Sequence, residues 1–384
     1  MIIFVGPYSP VGSCASPNLG AVRKIETIVR VLANLDTDLV FVNSAHNIEG
    51  FAQPAERVAE VAGVKVRELL PSRWPSRRFG KLVNLFESYF LARRLAKEGK
   101  PMLIWLYNGY AFESLFARAF FKFFPCPVVL EFEDWHFARG RGFNPKPWVD
   151  QMAWRSALGV ISHGVCVNDT LAQYLKAEGI ATTLLPGVVP DGLLDKTRMA
   201  EPFKGQDTAL TIGYFGGLSV EKGADLLLET IQKLEGPYRW VVTGAGALGA
   251  QFEHLAKCFP SRLDYRGTVD EDELYRLIAS CDVMVNPHSP ILEMHAGVFP
   301  FKVIEAVASG RLLISTVLPP LDIPGLLDGV FFFDGTSTSL IACIEGARDK
   351  YRVDRSVIKR AQHDAVRLFS EVSLLDKLGK ISAE

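Results

Sequence analysis

Short apolar runs alternate with helix-patterned segments along the whole chain, and that alternation restricts the fold more than any other feature. In the first half the runs fall at residues 2–5, 39–42, 102–106, 128–131 and 159–162. In the second half they fall at 210–215, 240–243, 263–265, 283–286, 312–316 and 330–333. Patterned helices such as 22–35, 86–97, 224–234 and 272–279 lie between them. Strands with so few polar residues are buried on both faces, as in a parallel sheet covered by helices. The pattern predicts an α/β protein of two doubly wound, Rossmann-like domains facing across a cleft, with ligands at the carboxyl ends of the strands. A polar, turn-rich stretch after Pro190 separates the two series. The expected division is a first domain at 1–190, a linker at 191–207, a second domain at 208–365 and a C-terminal helix at 366–384 packing back on the first domain.

A chain of 384 residues suits two cores of this kind. Its formal net charge of −1 gives no global field that would draw nucleic acid. The six cysteines are scattered without a C-x-x-C pair, which argues against a zinc site or a disulfide framework and fits a reducing compartment. The opening Met1-Ile2-Ile3-Phe4-Val5-Gly6 has no basic leader and reads as a first strand, and no apolar run has the length of a membrane span. A cytoplasmic protein is expected.

The segment from Val283 to Gly310 is the most informative about chemistry. A short apolar run ends at Asn286-Pro287, and a helix restarts at Pro300 and stops at Gly310. Lys302 and Glu305 stand three apart in its first turns and share a face near the positive helix end. Such a pair either holds a phosphate and a sugar hydroxyl or is a solvated surface pair. Earlier, the strand at 210–215 runs into Gly216-Gly217-Leu218-Ser219-Val220-Glu221-Lys222-Gly223 and a helix. Glycines that admit close backbone approach, a helix N-terminus and the Lys222 charge together make a diphosphate cradle. Lys222, Lys302, Glu305 and Asn286 all follow parallel strands, which brings them to one edge of the second sheet.

Three other patterns compete. Gly244, Gly246 and Gly249, with Asp264 about twenty residues on, match a dinucleotide fingerprint and raise a dehydrogenase. They fall, however, on the second strand of their domain and read better as a tight turn. Asp36-Thr37-Asp38 and Asp270-Glu271-Asp272 match the D-x-D pattern of some metal-dependent transferases, yet one sits at a helix-to-strand turn and the other caps a helix. In the first half, the strand at 128–131 ends in Glu131-Phe132-Glu133-Asp134-Trp135-His136. That cluster is too charged to be core, because burying unpaired charge costs several kcal/mol. It is either a solvated loop or an acceptor site in which Asp134 or His136 orients an attacking hydroxyl. The basic and aromatic stretch containing Arg73, Trp74, Arg77 and Arg78 suits peripheral contact with an anionic membrane.

In order and spacing, residues 210–317 resemble glycosyltransferase family 4, the large retaining family of the GT-B fold. The resemblance rests on the loop ending Glu221-Lys222-Gly223, the segment Asp264-Tyr265-Arg266-Gly267, and Glu273 through Asp282. It is completed by Pro300, Lys302 and Glu305 in a P-x-K-x-x-E helix. It implies transfer of a sugar from a nucleoside diphosphate donor to a glycan or lipid-linked hydroxyl, with retention and without a metal cofactor, in surface polysaccharide or glycolipid synthesis. It implies that Lys222 contacts the leaving diphosphate and that Glu305 binds the ribose. Gly216, Gly217, Gly244, Asn286 and Lys302 fall in the donor site, as do Gly12 and Ser13 in the loop that stands for the family's N-terminal glycine loop. Lys222, Asp134 and His136 would carry catalysis; Glu131 and Glu133 would join the last two in holding the acceptor. Two positions depart from the family pattern. Gly217 stands where an arginine is common, and Gly297 where the first of two paired glutamates is usual. They keep two alternatives open, a non-catalytic nucleotide-sugar-binding protein and a sugar-nucleotide isomerase on the same fold.

Overall fold

A computed structural model of the chain describes residues 1–9, 19–35, 38–45, 55–72, 77–135, 146–203, 209–288 and 299–383. It divides into two compact units, one of Met1–Leu185 with Leu374–Glu384, the other of Pro186–Glu293 with Phe299–Ser373.

The first unit holds strands β1 (Ile2–Gly6), β2 (Leu39–Asn43), β3 (Ala55–Val61), β4 (Val64–Leu70), β5 (Leu103–Tyr107), β6 (Val128–Phe132), β7 (His163–Cys166) and β8 (Ala181–Leu184). Its helices are α1 (Leu19–Ala33), α2 (Arg77–Ala96), α3 (Ala111–Phe121), α4 (Lys146–Ala157) and α5 (Asp169–Ala177). The sheet order is β3-β4-β2-β1-β5-β6-β7-β8, parallel except for the edge hairpin β3–β4. Strands β1, β2, β5 and β6 are buried at every residue, as runs covered on both faces must be. The hairpin turns at Ala62-Gly63, both with positive φ (51° and 80°), the backbone that matches the twist of paired strands. The apolar run expected at 159–162 is not a strand. Residues Leu158–Val160 form a single 3-10 turn, and the Ser162 N–H joins the Val128 carbonyl before β7 begins at His163.

The second unit holds α6 (Asp191–Thr197), β9 (Leu210–Phe215), α7 (Ala224–Lys233), β10 (Tyr238–Thr243), α8 (Gly249–Cys258), β11 (Leu263–Tyr265) and α9 (Glu271–Ser280). Then come β12 (Val283–Asn286), α10 (Phe301–Ala308), β13 (Leu312–Ser315), β14 (Phe331–Phe332), α11 (Ser337–Glu345), α12 (Ala347–Phe369) and α13 (Glu371–Ala383), the last running on into the first unit's residues. The sheet is parallel throughout, in the order β11-β10-β9-β12-β13-β14. Chain order reverses between β9 and β12, the switch point at which doubly wound sheets bind ligands outside the carboxyl ends of their strands. Ile212, Tyr214, Val242, Val283, Val285 and Ile314 fill the core on the strands. The stretch expected as a linker contains α6, which packs on α9. Lys196 pairs with Asp272 at 2.9 Å, and a Cβ on Gly192 would stand 3.0 Å from the Tyr275 ring.

Candidate active site at the β9–β12 edge

Three loops meet at the carboxyl edge of the second sheet. The β9 loop ends in Gly223, whose φ of +73° is left-handed. A Cβ there would lie 1.9 Å from the Pro287 carbonyl oxygen, so only glycine lets the β9 and β12 loops touch backbone to backbone. Gly244 does the same between the β10 and β9 loops, its φ being +134° and its absent Cβ 1.8 Å from the Gly216 carbonyl oxygen. The dinucleotide-like glycines are therefore a packing device. Asp264, the residue that would take a ribose in that reading, is held instead by Arg239 at 3.3 Å and Arg266 at 2.9 Å.

Tyr214, buried on β9, organises the cradle. Its hydroxyl donates to the Gly217 carbonyl at 2.7 Å, and the Lys302 ammonium lies 4.2 Å from its ring centroid, in cation–π range. The Gly216 side of the loop reaches the same lysine, since a Cβ there would be 3.8 Å from Lys302 Nζ. Lys222 Nζ lies 2.9 Å from His288 Nε2 and 3.4 Å from Glu221. With the ammonium donating, Nε2 is an acceptor, which assigns a neutral imidazole carrying its proton on Nδ1. His288 is buried, and its carbonyl accepts from Thr316 Oγ1 at 2.6 Å. Helix α10 begins at Phe301, with Pro300 at its N-cap position, and buries Glu305 one turn below Lys302.

Of the residues expected at the donor site, all but Gly12 and Ser13 are described in the structure. Lys222, Lys302 and Glu305 stand at this edge, with Lys222 and Glu305 both close enough to act on the Lys302 charge. Gly216 and Gly244 have spent their N–H groups on the Thr243 and Gly267 carbonyls, so their part is close packing and not phosphate donation. The Gly217 N–H has no acceptor among the described residues, which leaves it able to donate to a ligand. Asn286 is fully buried, and its amide nitrogen ties β12 to β13 by donating to Ser315 Oγ at 2.9 Å. Its Oδ1 is buried without a hydrogen-bond partner among the described residues, so one end of the amide is fixed in the sheet and the other is unspent. Gly12 and Ser13 lie outside the described residues. Tyr214 and His288 were missed; the signal available was a polar group at or just past the end of a strand.

Burial and the neighbouring Lys222 charge push the Lys302 amine down to about 7, with the Glu305 carboxylate pulling it back up. A bound diphosphate adds negative charge and raises that value again, so binding takes up a proton above neutrality. Affinity for a diphosphate seated on this edge should accordingly fall as pH rises from about 7 towards 9, by up to about tenfold per unit. Calorimetry in buffers of different ionisation enthalpy should detect the uptake, and Lys302→Gln should flatten the profile. A flat profile in the unaltered protein would contradict it.

In the first unit, Glu131 departs from expectation. It lies inside β6, fully buried, accepting from Trp105 Nε1 at 2.8 Å and pairing with Lys24 of α1 at 3.3 Å. Burial pushes Lys24 down and Glu131 up, and each charge opposes that shift in the other. Lys24 also pairs with Glu133. Glu131 is thus a core residue neutralised by a distant lysine, and it cannot touch an acceptor. Glu133 is fixed as well, since its N–H donates to Asn108 Oδ1 at 2.9 Å. Asp134 follows, half-buried, while His136 lies outside the described residues.

The D-x-D aspartates at α9 have structural work. Asp270 caps the helix by accepting from the Glu273 N–H at 2.8 Å, and Asp272 pairs with Arg276 and Lys196. Arg73 and Trp74 are outside the described residues, and Arg77 and Arg78 open α2. Among the described residues no helix is long and apolar enough to cross a membrane.

Comparison with known proteins agrees with this geometry. Residues 209–345, which carry the whole edge, match the family described as "Glycosyl transferases group 1". The phosphatidylinositol N-acetylglucosaminyltransferase gpi3 subunit of Schizosaccharomyces pombe is 25% identical over 161 residues; the match covers 41% of this chain and 34%, about a third, of that protein. Sucrose-phosphate synthase from Thermosynechococcus elongatus superposes with a TM-score of 0.69 at 15% identity, covering 99% of this chain and 98% of its own. Anabaena HepE in complex with UDP-glucose gives 0.64 at 14% identity, with coverage of 99% and 98%. At these identities the solved structures establish a shared GT-B fold of two Rossmann-like units. Motif order, fold and the match over residues 209–345 agree that this part of the chain is a group 1 glycosyltransferase domain.

Proposed function

We propose that this glycosyltransferase moves a sugar from a nucleoside diphosphate sugar to a hydroxyl of a glycan or lipid-linked acceptor in surface polysaccharide or glycolipid synthesis. The observation that carries the reading is the pair Lys222 and Lys302 on one sheet edge, with the free Gly217 N–H on the loop that bears Lys222. As the glycosidic bond to the diphosphate breaks, negative charge builds on its oxygens. Two preplaced ammonium groups and an amide stabilise that charge more than they stabilise the bound donor, which is the requirement for catalysis. Glu305 takes the ribose hydroxyls. Asp134 and His136 orient the acceptor hydroxyl and receive its proton. A UDP-sugar is favoured as donor because the structural relative HepE was solved with UDP-glucose. A lipid-linked acceptor is favoured by the phosphatidylinositol substrate in the yeast relative's name. Retention is the outcome the family resemblance implies. A panel of UDP-, GDP- and ADP-sugars tests the reading, first by thermal shift and then by turnover on glycan and lipid-linked acceptors. Binding without turnover on any acceptor would sink it in favour of a nucleotide-sugar-binding role.

The reading needs no metal, because lysines supply the positive charge at the diphosphate. Turnover should therefore persist in EDTA at an undiminished rate. Activity that disappears on chelation and returns with magnesium or manganese would show that charge stabilisation here is a metal's work.

A further inference from the structure

Helices α2, α3 and α4 follow strands taken in one direction across the first sheet, so right-handed crossovers lay them on the same face. Their outward surfaces are unlike the rest of the molecule. Six aromatic side chains are exposed among the described residues, and five of them lie on these helices or at their ends: Phe86, Tyr89, Phe90, Phe123 and Trp148. Met152 joins them on α4. Phe86, Tyr89 and Phe90 are 68%, 42% and 62% exposed, and with Arg93 they form a single stripe along α2 at helical spacing. Tyr89 reaches Phe123, at the end of α3, with ring centroids 6.0 Å apart, so the stripe crosses from one helix to the next. Trp148, Met152 and Arg155 repeat the spacing on α4. The next helix on this face, α5, turns Gln173 and Lys176 outward, so aromatic exposure on this face is confined to three helices.

The charge on the patch has one sign. Arg93, Lys97, Arg118, Lys122 and Arg155 are exposed there, and none pairs with a carboxylate of the described residues. The nearby acids are engaged or buried: Glu87 bonds to Ser72, Glu98 pairs with Arg67, and Glu113 lies in the interior. A chain with a net charge of −1 thus gathers unpaired cations around its exposed aromatic rings.

We propose that the α2–α4 face of the first unit is a membrane-docking surface that seats Phe86, Phe90 and Trp148 in the headgroup region of an anionic bilayer. Aromatic rings lose water by entering the interface, while Arg118, Lys122 and Arg155 meet lipid phosphates. The proposal is independent of the donor chemistry, since it uses none of the residues at the β9–β12 edge.

The test is sedimentation of the whole protein with vesicles of phosphatidylcholine and phosphatidylglycerol, against phosphatidylcholine alone, across a salt series. Binding should require phosphatidylglycerol and weaken with salt. Arg118→Gln/Lys122→Gln should lower partitioning about thirtyfold, at about 1 kcal/mol per charge. Phe90→Ser/Trp148→Ser should lower it at least as far while leaving the thermal unfolding midpoint unchanged, because both side chains are exposed. Absent vesicle binding at low salt, or binding that ignores both double variants, would overturn the proposal. So would a dimer in sedimentation velocity that Phe90→Ser/Trp148→Ser dissociates, which would make a second copy of the chain the occupant.

Discussion

Asp134→Asn is expected to lower turnover by about a hundred- to ten-thousandfold, the range that loss of a proton-accepting or orienting group produces, with UDP affinity unchanged. The segment that carries Asp134 is held from two sides. The Glu133 N–H is fixed by Asn108, and the Glu133 side chain by the buried Lys24. The amide variant keeps the shape of the residue and removes its basicity, so folding should be untouched. Lys222, Lys302, Glu305 and the Gly217 N–H, the nucleotide contacts of the proposed function, belong to the second unit, which predicts the split between rate and affinity. A transfer assay at saturating donor, paired with calorimetry on UDP, measures both. Near-normal turnover would leave the Asp134 loop with a structural role only.

The second large effect is expected at Lys222. Its ammonium is partly exposed and held by the neutral His288 imidazole, so Lys222→Ala leaves no buried charge behind. Loss of a charge-assisted contact to the diphosphate should weaken UDP binding by about 1.5–3 kcal/mol, roughly ten- to hundredfold. Turnover should fall further, by about a hundred- to thousandfold, because the contact strengthens as the leaving charge develops. Lys222→Arg should restore much of the affinity but less of the rate, since a planar guanidinium cannot occupy the position beside His288 as a compact ammonium does. Equal UDP affinity in the unaltered protein and Lys222→Ala would remove the lysine from the donor site.

Much of this was legible in the sequence because parallel sheets impose it. Strands buried on both faces read as unbroken apolar runs, and β9, β11 and β12 fall where the pattern placed them. Once the strands are parallel, the residues after them must gather at one edge, which is how Lys222, Lys302 and Glu305 could be grouped across eighty positions. The edge hairpin β3–β4 was not legible, because Glu56, Arg57 and Glu60 face outward and break the apolar run. Glu131 misled for a different reason. Its compensating charge, Lys24, comes from a helix more than a hundred residues earlier, and no local pattern announces such a partner. Gly216 and Gly244 are similar, since what occupies their N–H groups is decided by loops that meet only in the folded sheet.

The backbone-to-backbone stacking of the three loops also marks where the donor rim can be redesigned. Any side chain at 223 or 244 would collide with a neighbouring carbonyl, at 1.9 and 1.8 Å, and would move two loops at once. Gly217 differs, since a Cβ there would find nothing nearer than Lys222 Cγ at 3.8 Å. The rim therefore has rigid positions and a vacant one side by side. New donor preferences would be sought by varying residue 217 within a fixed frame, beginning with the arginine that the family resemblance places there.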